Sequence, residues 1–189
     1  MQADGSIGVT GTPGTGKKSV SRILAHELGL KPSSLNDLAD GLRLVDRRSG
    51  EVDTAALRTR ISRLRDKGGT VYFGHLLPYV LAPEALTKVV VLRCEPDVLK
   101  ERLTERGYPA GKLIDNVEAE LIGLVSSDAF AAYGDTKTLE LDTTHTSPKE
   151  AALNIAKVLR GETRAQQRID WTVNYDSGAK LRLLLSTGK

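Results

Sequence analysis

The sequence SIGVTGTPGTGKKS, residues 6–19, joins a short apolar run to a glycine-rich turn and then to a predicted helix. Residues 11–17 match the first seven positions of the pattern G-x-x-x-x-G-K-[S/T], in the strand–turn–helix context that the pattern requires. Glycines let the backbone curl with its N–H groups pointing inward, and these donors and the positive end of the helix attract an anion. Lys17 adds a positive charge for the outer phosphates. The stretch therefore predicts a cradle for the phosphates of a nucleotide.

The eighth position of the pattern departs from the rule. It holds Lys18, where a serine or threonine hydroxyl normally faces magnesium. Ser19 follows, so a hydroxyl is available one residue later. Ser19 is therefore the candidate metal ligand of the cradle.

The rest of the chain alternates strand patterns with amphipathic helix patterns. Apolar runs predict strands at 6–10, 70–73, 88–92 and 138–142. Spacings of three and four residues, with caps at Asp53 and Ser147, predict helices at 17–28, 54–67, from 96, 111–133 and 148–160. Residues 30–53 are predicted to be irregular. Such alternation predicts a parallel sheet with helices on both faces and ligands at the carboxyl ends of its strands.

Composition limits the class of protein. The chain has 189 residues, of which 40% are hydrophobic and 27% charged, values typical of one globular domain with room for a tail. A single cysteine excludes an intramolecular disulfide, and no apolar run approaches the ~18 residues of a membrane span. We therefore expect a soluble, cytoplasmic protein without a membrane partner. A net charge of +3 permits a nucleic-acid partner without requiring one.

Three segments resemble the sixth adenylate kinase isoenzyme family of archaea and eukaryotes. They are the cradle at residues 10–17, LKERLTERGY at 99–108 within the similar stretch 91–108, and KLIDNVEAEL at 112–121. The arginine-rich pattern followed by Lys-x-x-Asp-Asn is the most specific of the three. The similarity covers about residues 5–160, and the tail near Trp171 is similar to the extension of archaeal members.

The resemblance implies an α/β P-loop NTPase fold, like that of a nucleoside monophosphate kinase, with a short lid. Residues 1–160 would form the kinase-like domain, with the monophosphate-binding region at about 34–53 and the lid at about 105–115. Residues 161–189 would be a basic C-terminal extension. The resemblance also implies adenylate kinase activity (ATP and AMP to two ADP) with ATP hydrolysis, and hence ATP/ADP, AMP and Mg²⁺ as ligands. Family members assist late maturation of the small ribosomal subunit, so a platform ribosomal protein and rRNA are expected partners.

The resemblance also assigns the site residues. Arg106 would be the lid arginine, with Arg102 one turn earlier, and such arginines neutralise the oxygens of a transferring phosphoryl group. His75 would orient the attacking water or sense the γ-phosphate. The predicted catalytic residues are Lys17, His75, Arg102 and Arg106, and the predicted phosphate contacts are Gly14, Thr15, Gly16, Lys17, Lys18, Ser19 and Arg106.

One position departs from the family. An aspartate that holds magnesium is expected two residues before His75, and Phe73 stands there instead. Loss of this carboxylate and gain of Lys18 both disfavour Mg²⁺, and the ammonium could partly replace the metal against the phosphates. These changes suggest the hypothesis that the chain binds nucleotide with little magnesium dependence and turns it over slowly.

Three functions remain in competition. The first is the phosphotransferase and ATPase, which the cradle and the lid pattern favour. The second is a catalytically impaired assembly factor that uses nucleotide as a structural ligand, which Phe73 favours; the arginines between 58 and 65 and the basic tail could serve its RNA or protein surface. The third is another small-molecule P-loop kinase, which the lid pattern disfavours. His26 and His145 have no metal-ligand partner at standard spacing, and Cys94 is interpreted as structural.

Overall fold

A five-stranded sheet lies at the centre of the computed structural model, which describes residues 5–46, 48–63, 69–165, 168–175 and 177–186. Its strands pair in the order β2-β3-β1-β4-β5, and all neighbouring pairs are parallel. The strands are β1 (Ser6–Gly11), β2 (Lys31–Ser34), β3 (Thr70–Phe73), β4 (Leu86–Arg93) and β5 (Thr138–Asp142). β1 lies in the middle, so the cradle that follows it opens at the centre of the carboxyl edge.

Helices cover both faces of this sheet, which confirms the predicted fold class. They are α1 (Lys17–Leu28), α2 (Leu35–Gly41), α3 (Thr54–Arg63), α4 (Leu77–Val80), α5 (Pro96–Glu105), α6 (Ala110–Leu121), α7 (Leu124–Tyr133), α8 (Pro148–Leu159) and α9 (Gly178–Leu185), with 3-10 turns at Pro83–Ala85 and Thr172–Asn174. One core cluster joins α1 and α8 to the sheet, and a second joins α3, α4 and α7 to its other face. No helix in the described part of the chain is both long and apolar enough to cross a membrane.

The prediction that residues 30–53 are irregular is wrong in its first part. Lys31–Ser34 form the edge strand β2, and Ser34 then caps α2 by accepting a hydrogen bond from the Asp37 N–H at 3.2 Å. Pro32 lacks a donor but is tolerated because β2 has only one neighbour, β3. The strand is short and polar, so its pairing with β3 decides its conformation rather than its own residues.

The predicted helix 111–133 is also wrong, because the structure divides it into α6 and α7. The break falls at Gly123, whose φ of +67° is left-handed and is favourable for glycine. A Cβ there would lie 3.4 Å from a guanidinium nitrogen of Arg93. The apolar spacing continues through Ile122 and Leu124, so periodicity alone does not reveal the break. Of the predicted helix 54–67, residues 54–63 form α3 and residues 64–67 lie outside the described residues.

The third core cluster connects the C-terminal extension to the helices that flank the predicted lid. Trp171, Tyr175 and Leu184 are buried with Leu99 and Leu103 of α5 and with residues of α6. Lys100 of α5 donates a hydrogen bond to the Leu183 carbonyl at 3.0 Å. The described part of the extension therefore packs as part of the core.

Candidate nucleotide-binding site

The turn between β1 and α1 has the backbone shape of a phosphate cradle. Gly14 lies in its middle at φ +99°, and a Cβ there would approach a Leu99 methyl carbon to 2.5 Å. Leu99 belongs to α5, so this helix closes against the back of the turn. Glycine at this position therefore meets two needs at once: a left-handed conformation and close contact with α5.

Thr12 organises the interior of the cradle through its carbonyl. This oxygen accepts hydrogen bonds from the Thr15 N–H at 3.2 Å, the Thr15 hydroxyl at 2.9 Å and Lys17 Nζ at 2.9 Å. Lys17 Nζ also donates to the Gly11 carbonyl at 2.7 Å. The lysine ammonium is thus held over its own loop by two carbonyls.

Burial changes the charge of Lys17. Desolvation is the largest effect and lowers the pKa of Lys17 to about 7, with Glu120 raising it and Arg106 lowering it further. An ammonium with a depressed pKa gains most from an incoming phosphate, because the anion replaces the water that burial removed. The influence of Arg106 also shows that the predicted lid arginine carries its charge close to Lys17.

Of the predicted phosphate-contacting residues, those at 14–19 form the turn and the start of α1, whereas Arg106 lies apart in sequence at the end of α5. Thr15 and Gly14 are buried within the loop, and Gly16 is the N-cap of α1 with φ +92°. Lys18 and Ser19 lie exposed on the first turn of α1. The backbone donors of the turn therefore lie next to the N-terminus of α1, the arrangement that favours an anion.

A buried group of charges lies behind the cradle, formed by Arg93, Glu120 and Glu140 and here called the carboxylate cluster. Arg93 Nε lies 2.8 Å from Glu120 Oε1, and Arg93 NH1 lies 2.6 Å from Glu140 Oε1. The Thr12 hydroxyl donates to Glu120 Oε2, which ties the cradle to the cluster. Burial lowers the pKa of Arg93, but the two carboxylates outweigh it and raise the net value. The Arg93 guanidinium is therefore held in its charged form, and the cluster is almost fully enclosed.

The two predicted catalytic arginines differ in their contacts. Arg106 ends α5, is exposed, and precedes the short connection to α6. Arg102 donates from one nitrogen to the Thr143 carbonyl at 2.9 Å and the Thr144 carbonyl at 2.7 Å. These residues follow β5, and the Thr143 hydroxyl donates to the Thr15 carbonyl at 3.1 Å. Arg102 thus joins α5 to a loop that contacts the cradle.

A second opening adjoins the cradle on the side of β3. It is a pocket of about 540 Å³, here called the acceptor pocket. Its described lining is formed by Asn36, Asp40, Val45, Gly50, Glu51, Val52, His75 and Leu76. Partial desolvation and then the charge of Lys17 lower the pKa of His75, so its imidazole is neutral at neutral pH. His75 therefore lines a pocket of carboxylates and an amide and lies within electrostatic reach of Lys17 in the cradle.

The described residues do not fit a magnesium ion held by protein carboxylates. Phe73 ends β3 and is buried in the same core cluster as Val20 of α1, so an aromatic ring fills the position expected for the aspartate. Ser19 offers one exposed hydroxyl. No group of three or more His, Cys, Asp or Glu side chains among the described residues is placed to hold a metal.

The remaining candidates, two histidines and the cysteine, belong to no metal-binding group among the described residues. His26 and His145 are exposed. Cys94 is buried, and desolvation raises the pKa of its thiol to about 12, which supports its structural interpretation. Sequence reasoning missed Thr12, Glu120 and Glu140. Their signal was weak: charged residues inside apolar helix and strand patterns, such as Glu140 in the strand TLELD.

Fold and cradle together define the chain as an α/β P-loop NTPase of the kinase-like type. The AAA domain family matches residues 7–123. Among solved structures, "Shikimate kinase from Acinetobacter baumannii in complex with shikimate" superposes with a TM-score of 0.63, covering 86% of this chain and 97% of that one at 15% identity. At that identity the likeness concerns the fold alone.

Curated relatives identify the family. The "Putative adenylate kinase" of Thermococcus kodakarensis is 36% identical over 173 residues, covering 90% of this chain and 94% of the relative. The protein of the same name from Natronomonas pharaonis is 39% identical over 158 residues, covering 82% of this chain and 90% of the relative. The chain therefore belongs to the adenylate kinase family that these archaeal proteins represent.

Proposed function

We propose that this protein transfers the terminal phosphoryl group of ATP to AMP, with slower transfer to water. The observation that carries the proposal is that His75 lines the acceptor pocket and also lies within electrostatic reach of Lys17 in the cradle. Relatives bearing the adenylate kinase name over nearly their whole length support AMP as the acceptor.

Each group has a chemical task in this reaction. An oxygen of the AMP phosphate attacks the γ-phosphorus as the bond to the leaving ADP breaks. Lys17 and Arg106 lie close enough to influence each other's charge, so both can neutralise the oxygens of the transferring group. Asn36, Asp40 and Glu51 can accept hydrogen bonds from the ribose hydroxyls or amino group of the acceptor. The neutral imidazole of His75 can orient water when no acceptor is present.

The proposal is tested by measuring ADP formation from ATP with and without AMP. We expect AMP to increase ADP production, and Lys17→Ala to abolish it by removing the positive charge of the cradle. Arg22→Ala is the matched control, since Arg22 is exposed on the same helix. ADP production that is independent of AMP, or activity that survives Lys17→Ala, would contradict the proposal.

A second candidate function is a non-catalytic assembly factor for the small ribosomal subunit, acting through a platform ribosomal protein or rRNA. Phe73 supports it by removing an expected catalytic carboxylate, and Arg58, Arg60 and Arg63 are exposed along α3. In this case Lys17→Ala would lower mainly the nucleotide affinity of a protein with negligible turnover. Co-purification with the ribosomal protein, lost on replacing these three arginines by glutamine, would favour this function.

Other phosphoryl acceptors are tested in the same assay. Offering shikimate and pyrimidine nucleotides in place of AMP would reveal another small-molecule kinase. We expect less ADP with these acceptors than with AMP.

A further inference from the structure

The C-terminal segment, here residues 168–175, reaches the back of the phosphate cradle. Trp171 Nε1 donates a hydrogen bond to Glu120 Oε1 at 3.2 Å, and the other carboxylate oxygen of Glu120 accepts the Thr12 hydroxyl. One buried carboxylate therefore joins the indole of the extension to a loop residue of the cradle.

Glu120 is held tightly between these two contacts. Its Oε1 also accepts Arg93 Nε at 2.8 Å and the Cys94 N–H at 3.0 Å, and its side chain is almost completely enclosed. A buried carboxylate with four donors has little freedom to turn, so a displaced donor shifts the others. The position of Thr12 thus depends on all the donors of Glu120.

Thr12 transmits this position to the phosphate-binding groups. Its carbonyl accepts the hydrogen bonds from Thr15 and Lys17 described above. The chain of contacts from Trp171 through Glu120 and Thr12 therefore ends at Lys17, the residue proposed to bind the phosphates. The Ile169 backbone also joins the C-terminal segment to the carboxylate cluster. Its N–H donates a hydrogen bond to Glu140, and its carbonyl accepts one from Arg93 NH1 at 3.0 Å.

We infer that Glu120 and Trp171 are positioning residues of the nucleotide site, and that the C-terminal segment sets the affinity of the cradle. The inference rests on the proposed nucleotide binding and deepens it. Because coupling is reciprocal, bound nucleotide changes the environment of Trp171 as well. Trp171 is the one tryptophan of the chain, so fluorescence excited selectively at tryptophan reports this site without a contribution from the five tyrosines.

The test compares two variants of the same segment by ADP titration calorimetry and thermal unfolding. Trp171→Phe keeps an aromatic ring in the core but removes the N–H donor to Glu120. Tyr175→Phe, the matched control, removes a hydrogen bond to Asp97 at 2.9 Å and leaves Glu120 untouched. We expect the ADP affinity to fall about three- to tenfold in Trp171→Phe, which is the size of one ordinary net hydrogen bond, and less than twofold in Tyr175→Phe.

A second pair keeps the inference falsifiable if Trp171→Phe does not fold. Thr12→Val replaces the hydroxyl by a methyl group of similar size, and Thr12→Ser restores it. We expect about a tenfold loss of ADP affinity and loss of the ADP-induced fluorescence change in Thr12→Val, with both recovered in Thr12→Ser.

The outcomes separate the inference from the function. Equal effects of Trp171→Phe and Tyr175→Phe on affinity, or unfolding shifts without any affinity loss, would overturn the inference and leave nucleotide binding intact. Thr12→Val that binds ADP as tightly as the natural protein would overturn it too. A natural protein that binds no nucleotide at all would overturn both the inference and the proposed function.

Discussion

The two openings at the carboxyl edge of the sheet are built differently. After β1, the interior of the cradle is buried, and its Thr12 and Lys17 side chains are held by Glu120 and by loop carbonyls. After β3, the acceptor pocket is lined by exposed side chains such as Asp40 and His75. Under the proposed function, we therefore expect nucleotide binding to depend on an internal network and turnover to depend on a few groups in contact with solvent. Variants behind the cradle should therefore change nucleotide affinity and stability, whereas variants in the acceptor pocket should change turnover.

The largest effect is expected behind the cradle. Glu120→Ala would leave Arg93 with one fewer carboxylate and strand the donors from Thr12, Cys94 and Trp171. Removing one member of a buried ion pair costs about 3–5 kcal/mol of unfolding free energy. Chemical denaturation measures this loss. Glu118→Ala on the same helix is exposed and should change the free energy by less than about 0.5 kcal/mol. Similar unfolding free energies for the two variants would mean that the carboxylate cluster does not stabilise the structure behind the cradle.

The next effect concerns Cys94, the one cysteine of the chain. Its backbone N–H bonds to Glu120, and burial raises the pKa of its thiol to about 12. At pH 8 the thiolate fraction should be about 10³ lower than for a free thiol of pKa about 8.5. Alkylation rates in native and denatured protein measure the difference. A native rate within tenfold of the denatured rate would show that the back of the cradle is open.

On the acceptor side, His75→Asn should separate catalysis from stability. Loss of the neutral imidazole, which is proposed to orient the attacking water, should lower the rate of ATP hydrolysis about 10²-fold. Because His75 is exposed, the unfolding free energy should change by less than about 0.5 kcal/mol. Steady-state kinetics and denaturation measure the two quantities. His26 is also exposed, so His26→Asn is the control. Equal rates of ATP hydrolysis in both variants would show that His75 takes no part in the reaction.

The smallest effect is expected from removing magnesium. Phe73 replaces the expected carboxylate and Lys18 supplies a positive charge on the first turn of α1, so the ADP dissociation constant should change less than about threefold when EDTA replaces Mg²⁺. Calorimetric titration with and without EDTA measures this change. Binding that weakens by tenfold or more without the metal would contradict the hypothesis. Lys18→Ala should weaken binding in EDTA more than Arg22→Ala does.

Local signals in the sequence determined the fold class and the phosphate cradle. The glycines and Lys17 define the turn within seven consecutive residues, and the apolar run at 88–92 lies within β4. The predicted cap at Ser147 begins α8, where Ser147 and Glu150 form a capping box, each side chain accepting a hydrogen bond from the backbone N–H of the other. These features are short-range, because each depends on neighbours in the chain whose backbone conformation they fix directly.

Only the tertiary structure decided how distant residues meet. The edge strand β2 exists because β3 lies beside it, and α6 ends where Gly123 approaches Arg93. The contacts of Glu120 with Thr12 and Trp171 span 108 and 51 residues of sequence. No periodicity or spacing encodes such pairs, since a buried charge finds its partners only when the helices, sheet and extension have packed together.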